Sequence, residues 1–126
     1  MNLKDYFENT KGTGVMATAS ADGLVDAAIY ARPHLLDDGT LAAIMRDRLT
    51  HANLQSNPHA VYLFIEAGPG YRGKRLYLTK LGEDDDPERI AALSRRKKDY
   101  EDGGKRFLVT FKVDRIRPLV GDGGEA

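Results

Sequence analysis

Between Leu41 and Ala67 the sequence reads as strand, short helix, strand, and this confines the chain to a small, strand-dominated fold. Leu41-Ala42-Ala43-Ile44-Met45 is an apolar strand that runs into Arg46 and Arg48. Thr50 is predicted to open a short helix, which must close at Pro58 because proline lacks the N–H and clashes with the preceding turn. Residues 59–67 follow as a nearly continuous apolar run, a pattern that predicts a strand buried on both faces. The flanks repeat the theme. Val15–Ser20 reads as a strand closed by the Ala21-Asp22-Gly23 turn, and residues 24–36 as a longer extended segment. Pro33 must place that segment at a sheet edge or break it. Asp37-Asp38-Gly39-Thr40 is a hairpin turn, 74–82 a strand, and 105–117 an alternating strand with Phe107, Val109, Phe111 and Val113 on one side.

Three helices interrupt the strands. Asn2 can cap the first, over 2–11, with Leu3, Tyr6 and Phe7 on one face. The second is the short helix before Pro58. Asp86 caps the third, with Pro87 at its first position, and the pattern runs to about Tyr100 before Gly103-Gly104. Six or seven strands joined by hairpin-like connections point to a small antiparallel barrel with flanking helices.

The junction at 45–58 also suggests chemistry. A strand end, two guanidiniums, a hydroxyl and a helix N-terminus meet within a few residues. Backbone N–H groups and the positive end of the helix dipole suit a phosphate, and arginines grip one through paired hydrogen bonds. The plainer reading makes Arg46 and Arg48 solvated strand-end residues and Thr50 an N-cap. The glycine-rich loop at 68–73 is open in the same way. It is either an ordinary hairpin loop or a lid, with Tyr71, Arg72 and Lys74 over a planar anionic ligand.

Other classes fit poorly. The chain has no cysteine, and its formal net charge is zero. Thiolate metal sites are therefore absent, and wholesale nucleic-acid binding is disfavoured. The acids at 83–86 and the bases Arg95–Lys98 complement the dipole of the third helix, which makes the basic run a solvated face. His34, His51 and His59 lack metal-ligand spacing, and no serine, histidine and carboxylate group forms a triad. No apolar run is long enough to span a membrane, so a cytoplasmic location is expected.

The order of segments resembles the split-barrel FMN-binding proteins related to pyridoxamine 5′-phosphate oxidase, above all the short single-barrel members, over about residues 5–118. Gly14-Val15-Met16-Ala17-Thr18 is similar to that family's opening strand, and Asp38-Gly39 to its second hairpin. Leu49 to Pro58, with its Asn-Leu and Asn-Pro pairs, resembles the family helix, and His59–Glu66 the strand that follows. The resemblance implies a mainly β fold, a six-stranded antiparallel Greek-key split barrel with flanking helices. It implies one domain over 1–120 with a flexible tail from 121, and a homodimer holding two FMN molecules between its subunits. Ile29, Tyr30, Ala31 and Arg32 would line the flavin ring. Met45, Arg46, Arg48, Leu49 and Thr50 would surround the phosphate, with Asn53 supporting the turn. Tyr71, Arg72, Gly73 and Lys74 would come from the partner subunit.

The chain has no lysine between Lys11 and Lys74, so the phosphate charge would fall to Arg46 and Arg48. The substrate-binding C-terminal region of true pyridoxamine phosphate oxidases is missing, so that oxidation is not expected. A barrel this small fills its own interior, so a ligand the size of FMN must bind outside it. The expected function is that of an FMN-dependent oxidoreductase or electron-transfer protein with a small-molecule donor or acceptor. A bound flavin would supply the redox chemistry, in keeping with the lack of a candidate acid or base. The alternative is a non-catalytic barrel for haem, deazaflavin F420 or another ligand. A barrel for single-stranded nucleic acid, using Tyr30, Tyr62 and Tyr71, is a third reading that the zero net charge opposes.

Overall fold

The computed structural model describes residues 2–94 and 104–121. Among them are three helices and seven strands. In chain order they are α1 (Leu3–Asn9), β1 (Gly12–Ala19), β2 (Val25–Tyr30), β3 (His34–Leu35), β4 (Leu41–Arg46), α2 (Leu49–Ser56), β5 (His59–Glu66), β6 (Gly73–Asp84), α3 (Pro87–Leu93) and β7 (Arg106–Pro118). The strands form one antiparallel sheet in the order β2-β1-β5-β6-β7-β4-β3. It has seven strands rather than the six implied by the resemblance. The reason is Pro33, which divides the extended segment at 24–36 into β2 and the two-residue β3, at opposite edges of the sheet.

One face of the sheet is wrapped around the core. Met16 from β1, Met45 from β4, Tyr62 and Phe64 from β5, Leu76 and Leu78 from β6, and Val109 and Phe111 from β7 are buried there. Phe7 carries α1 into the same cluster, packing edge-on against Phe64 with ring centroids 5.3 Å apart. Burying such a side chain stabilises the fold by roughly 1.5–3 kcal/mol. Phe107 and Val113 pack against the cluster beside Val109 and Phe111, as the alternation in β7 predicts. On the other side of β4 and β7, Ile90 of α3 covers Ala42 and Leu108.

β5 departs from expectation. Ala60, Tyr62 and Phe64 are buried, but Val61 and Leu63 on the reverse face are only half-buried. The run is apolar on both sides, yet in this antiparallel sheet only one face meets the core. The third helix is also shorter than predicted. Ser94 leaves the helical conformation after Leu93, and the basic run at 95–98 lies outside the described residues, as does the expected tail from 121 beyond Gly121 itself.

Candidate functional site

The curled sheet leaves a cleft of about 550 Å³ between the end of β2 and β4. Tyr30, Ala31 and Arg32 line one side, and Ala43 to Arg46 line the other. Lys11 and Gly12 at the start of β1, with His34, Ser94 and Arg106, complete it. Met45 lines the cleft although the residue is buried and packs into the core.

The chain leaving β2 is fixed from two sides. The Tyr62 hydroxyl donates to the carbonyl of Ala31 at 3.0 Å and to that of Tyr30 at 3.3 Å. Gly14 makes room for this peg, since a Cβ there would collide with the Tyr62 hydroxyl. The Arg32 guanidinium donates to the carbonyls of Phe7 at 2.8 Å and Thr10 at 3.2 Å, tying the segment to the end of α1. Each bond of this kind contributes about 1 kcal/mol and restricts the backbone that faces the cleft.

Tyr30 connects the cleft to the start of α2. Burial raises its hydroxyl pKa above the ordinary value, against the opposing pull of a hydrogen bond with Thr50 and the charge of Arg48. Thr50 is not the N-cap that the sequence suggests. Arg48 occupies that position, and Thr50 sits in the first turn, buried, with its hydroxyl engaged by Tyr30. Arg48 offers no side-chain capping bond, and the first turn of α2 holds no acidic residue. The leading N–H groups of α2 thus receive no acceptor from a cap side chain, the condition in which a helix end welcomes an anion. Leu49 is exposed beside them.

The body of α2 is anchored firmly. Asn53 donates from its amide to the Thr18 hydroxyl on β1 at 3.1 Å. It therefore secures the middle of the helix rather than the turn before it. His51 stacks on Phe107 with ring centroids 3.8 Å apart, and its Nε2 lies 3.0 Å from the Glu83 carboxylate. Gln55 and Lys80 also donate to Glu83, at 2.9 and 2.7 Å. Burial alone would raise the Glu83 pKa, but hydrogen bonds from Lys80, Gln55 and His51 and the His51 charge hold it at about 2.

The predicted residues thus divide into groups. Tyr30, Ala31, Arg32, Met45 and Arg46 share the cleft, while Arg48, Leu49 and Thr50 stand at the adjoining helix start. Ile29 points outward from the edge strand, 73% exposed. Tyr71, Arg72, Gly73 and Lys74 do not line the cleft of their own chain. Tyr71 is 82% exposed, at φ 50°, in a loop closed where the Glu66 N–H donates to the Arg72 carbonyl. The Gly73 carbonyl accepts from Leu119, and the Lys74 ammonium lies over the Tyr6 ring at 4.7 Å. Sequence reasoning missed Lys11 and Arg106, and weighed His34 only as a metal ligand and Tyr62 only as a stacking residue for nucleic acid. Arg106 could be found only through strand pairing, which sets it directly opposite Arg46. Among the described residues no group of three His, Cys, Asp or Glu side chains could hold a metal ion. No described helix is long and apolar enough to cross a membrane.

No family model and no curated protein matches the chain. Solved structures do. An FMN-binding protein from Syntrophomonas wolfei superposes with a TM-score of 0.72 at 16% identity, covering 94% of this chain and 84% of that one. HupZ from Group A Streptococcus gives 0.68 at 21% identity, covering 98% and 95%. An F420 reductase gives 0.64 at 19% identity, covering 92% and 97%. At these identities the likeness establishes the fold alone, a split barrel that this chain shares with those three proteins.

Proposed function

We propose that this chain is a cytoplasmic FMN-binding flavoprotein, an oxidoreductase or electron-transfer protein that works as a homodimer. One observation carries the reading: the start of α2, where Arg48 gives no side-chain cap and Thr50 is buried, follows directly on Arg46, which lines a cleft beside the end of β2. The residues fit the cofactor. Arg48 and the first N–H groups of α2 would hold the phosphate by charge-assisted hydrogen bonds, with Arg46 at the shoulder between helix and cleft. Main-chain groups of residues 30–32, fixed by Tyr62 and by the Arg32 anchor, would orient the ring. Bound there, the flavin would supply hydride or single-electron transfer, and the protein would position it and limit water. The FMN-binding neighbour supports this choice of cofactor.

A second copy would complete the site. Ile29, next to Tyr30 on β2, and Leu49, at the start of α2, are apolar and exposed. Burying them against the same face of a twin subunit would remove apolar surface from water and close the open side of the cleft. In that arrangement the loop carrying Tyr71 and Arg72, which does not line its own cleft, would serve the other subunit's.

The test is the visible absorbance of the protein as isolated, chromatography of the released chromophore, and sedimentation to give the subunit count. Flavin absorbance, released FMN and a dimer are expected. The F420 reductase neighbour makes a deazaflavin the second reading, and chromatography separates the two.

A further inference from the structure

The start of α2 has a carboxylate of its own chain beside it. Asp47 immediately precedes the capping residue Arg48, and its side chain is 70% exposed. A carboxylate at that place is drawn to the same positive helix end that would attract a phosphate. On its other side, one turn along the helix, the His51 Nδ1 lies 3.8 Å from an Asp47 oxygen. That separation is too long for a hydrogen bond, so the contact has force only when the imidazole is charged.

The imidazole itself is fixed. It is buried, stacks on Phe107 of β7, and sets Nε2 3.0 Å from the Glu83 carboxylate of β6. A carboxylate only accepts, so Nε2 keeps its proton and a second proton adds at Nδ1, facing Asp47. Among the described residues, the charged groups around the ring are Asp47 and Arg48 at the helix start, Glu83 with its partner Lys80 on β6, and Lys105, whose ammonium lies 5.1 Å from the Phe107 ring centroid. From β2 the Tyr30 hydroxyl meets Thr50, and from β1 the Thr18 hydroxyl meets Asn53. Glu83 stays ionised wherever an imidazole changes charge, because hydrogen bonds from Lys80, Gln55 and His51 hold it at about 2 against its burial.

Resting on the phosphate site proposed above, we infer that His51 and Asp47 form a proton-operated switch that regulates FMN affinity. With the imidazole neutral, Asp47 answers the positive helix end and opposes an incoming phosphate. With Nδ1 protonated, the imidazolium holds Asp47 and cancels its charge, and FMN binds more tightly.

FMN affinity, read by flavin fluorescence at about pH 5 and about pH 8, tests this in the wild type and in D47N. D47N alters an exposed side chain and leaves the packing intact. It should bind FMN about fivefold more tightly than the wild type at the higher pH and within about twofold of it at the lower. Comparing the two proteins at one pH cancels the phosphate's own ionisation. In an H51Q background, which has no imidazole at this position, D47N should tighten FMN about fivefold at both pH values. A D47N-to-wild-type ratio that does not change with pH would overturn the inference, as would a ratio that still changes with pH in H51Q. If H51Q does not fold, the D47N comparison decides alone. FMN that binds at neither pH would overturn the flavin reading and this inference together, whereas FMN that binds with a constant ratio overturns this inference alone.

Discussion

The first turns of α2 and α3 meet the same physical problem in opposite ways. Both helices are short and both start with N–H groups that lack intrahelical partners. In α3 the chain answers internally. The Asp86 carboxylate accepts from the Glu88 N–H at 3.0 Å, Pro87 removes one donor, and Glu88 adds a favourable charge. α1 follows the same plan, with Asn2 accepting from Asp5 at 3.2 Å. In α2 the capping position holds Arg48, and the first turn holds no acid. Two helix starts are finished by their own residues, and one presents donors and positive charge outward. The difference marks where this chain has given up local stability, and under the proposed function that is where the phosphate binds.

The sharpest way to break the comparison is to make α2 resemble α3. R48D should weaken FMN by about 100-fold, through loss of a charge-assisted contact and the repulsion of a carboxylate. The same change should raise thermal stability by about 1 kcal/mol, because aspartate caps the helix. Flavin fluorescence titration and thermal denaturation read the two opposed effects. T50V comes next. It deletes the hydroxyl that meets Tyr30 and should weaken FMN by about tenfold, by equilibrium dialysis, with a stability cost of about 1 kcal/mol. The converse test lies in α3. D86A should lower stability by about 1 kcal/mol in denaturant unfolding and leave FMN affinity unchanged.

The smallest effect concerns the clamp that anchors α2. Glu83 titrates at about 2 in the folded protein, against an ordinary value of 4.5. Its folded pKa is depressed, so its contribution to stability is present above the ordinary value and is lost as pH falls toward 2. An acid titration followed by circular dichroism should show that loss, and E83Q should flatten it.

The fold was legible because its strands carry their own period. The alternation in β7 places Phe107, Val109, Phe111 and Val113 toward the core as read from the sequence. The turn at Asp37–Thr40 and the stop at Pro58 fall where their residue types dictate. Thr50 shows how a local rule misleads: threonine is a favoured cap, but here its hydroxyl serves Tyr30 and Arg48 takes the capping place. Tyr62 was hidden for a different reason. In an apolar run it reads as packing, and only the folded chain shows its hydroxyl holding the backbone of Tyr30 and Ala31. Lys11 and Arg106 were beyond reach because they meet Arg46 through pairing of distant strands and curling of the sheet. No sequence spacing encodes that encounter.

The most direct test of the account compares FMN with riboflavin, which differs by the phosphate alone. Wild-type protein should bind FMN at least about 100-fold more tightly than riboflavin, and R48D should bind the two about equally. Equal affinities in the wild type, or an FMN preference that survives R48D, would contradict the assignment of the phosphate to the start of α2.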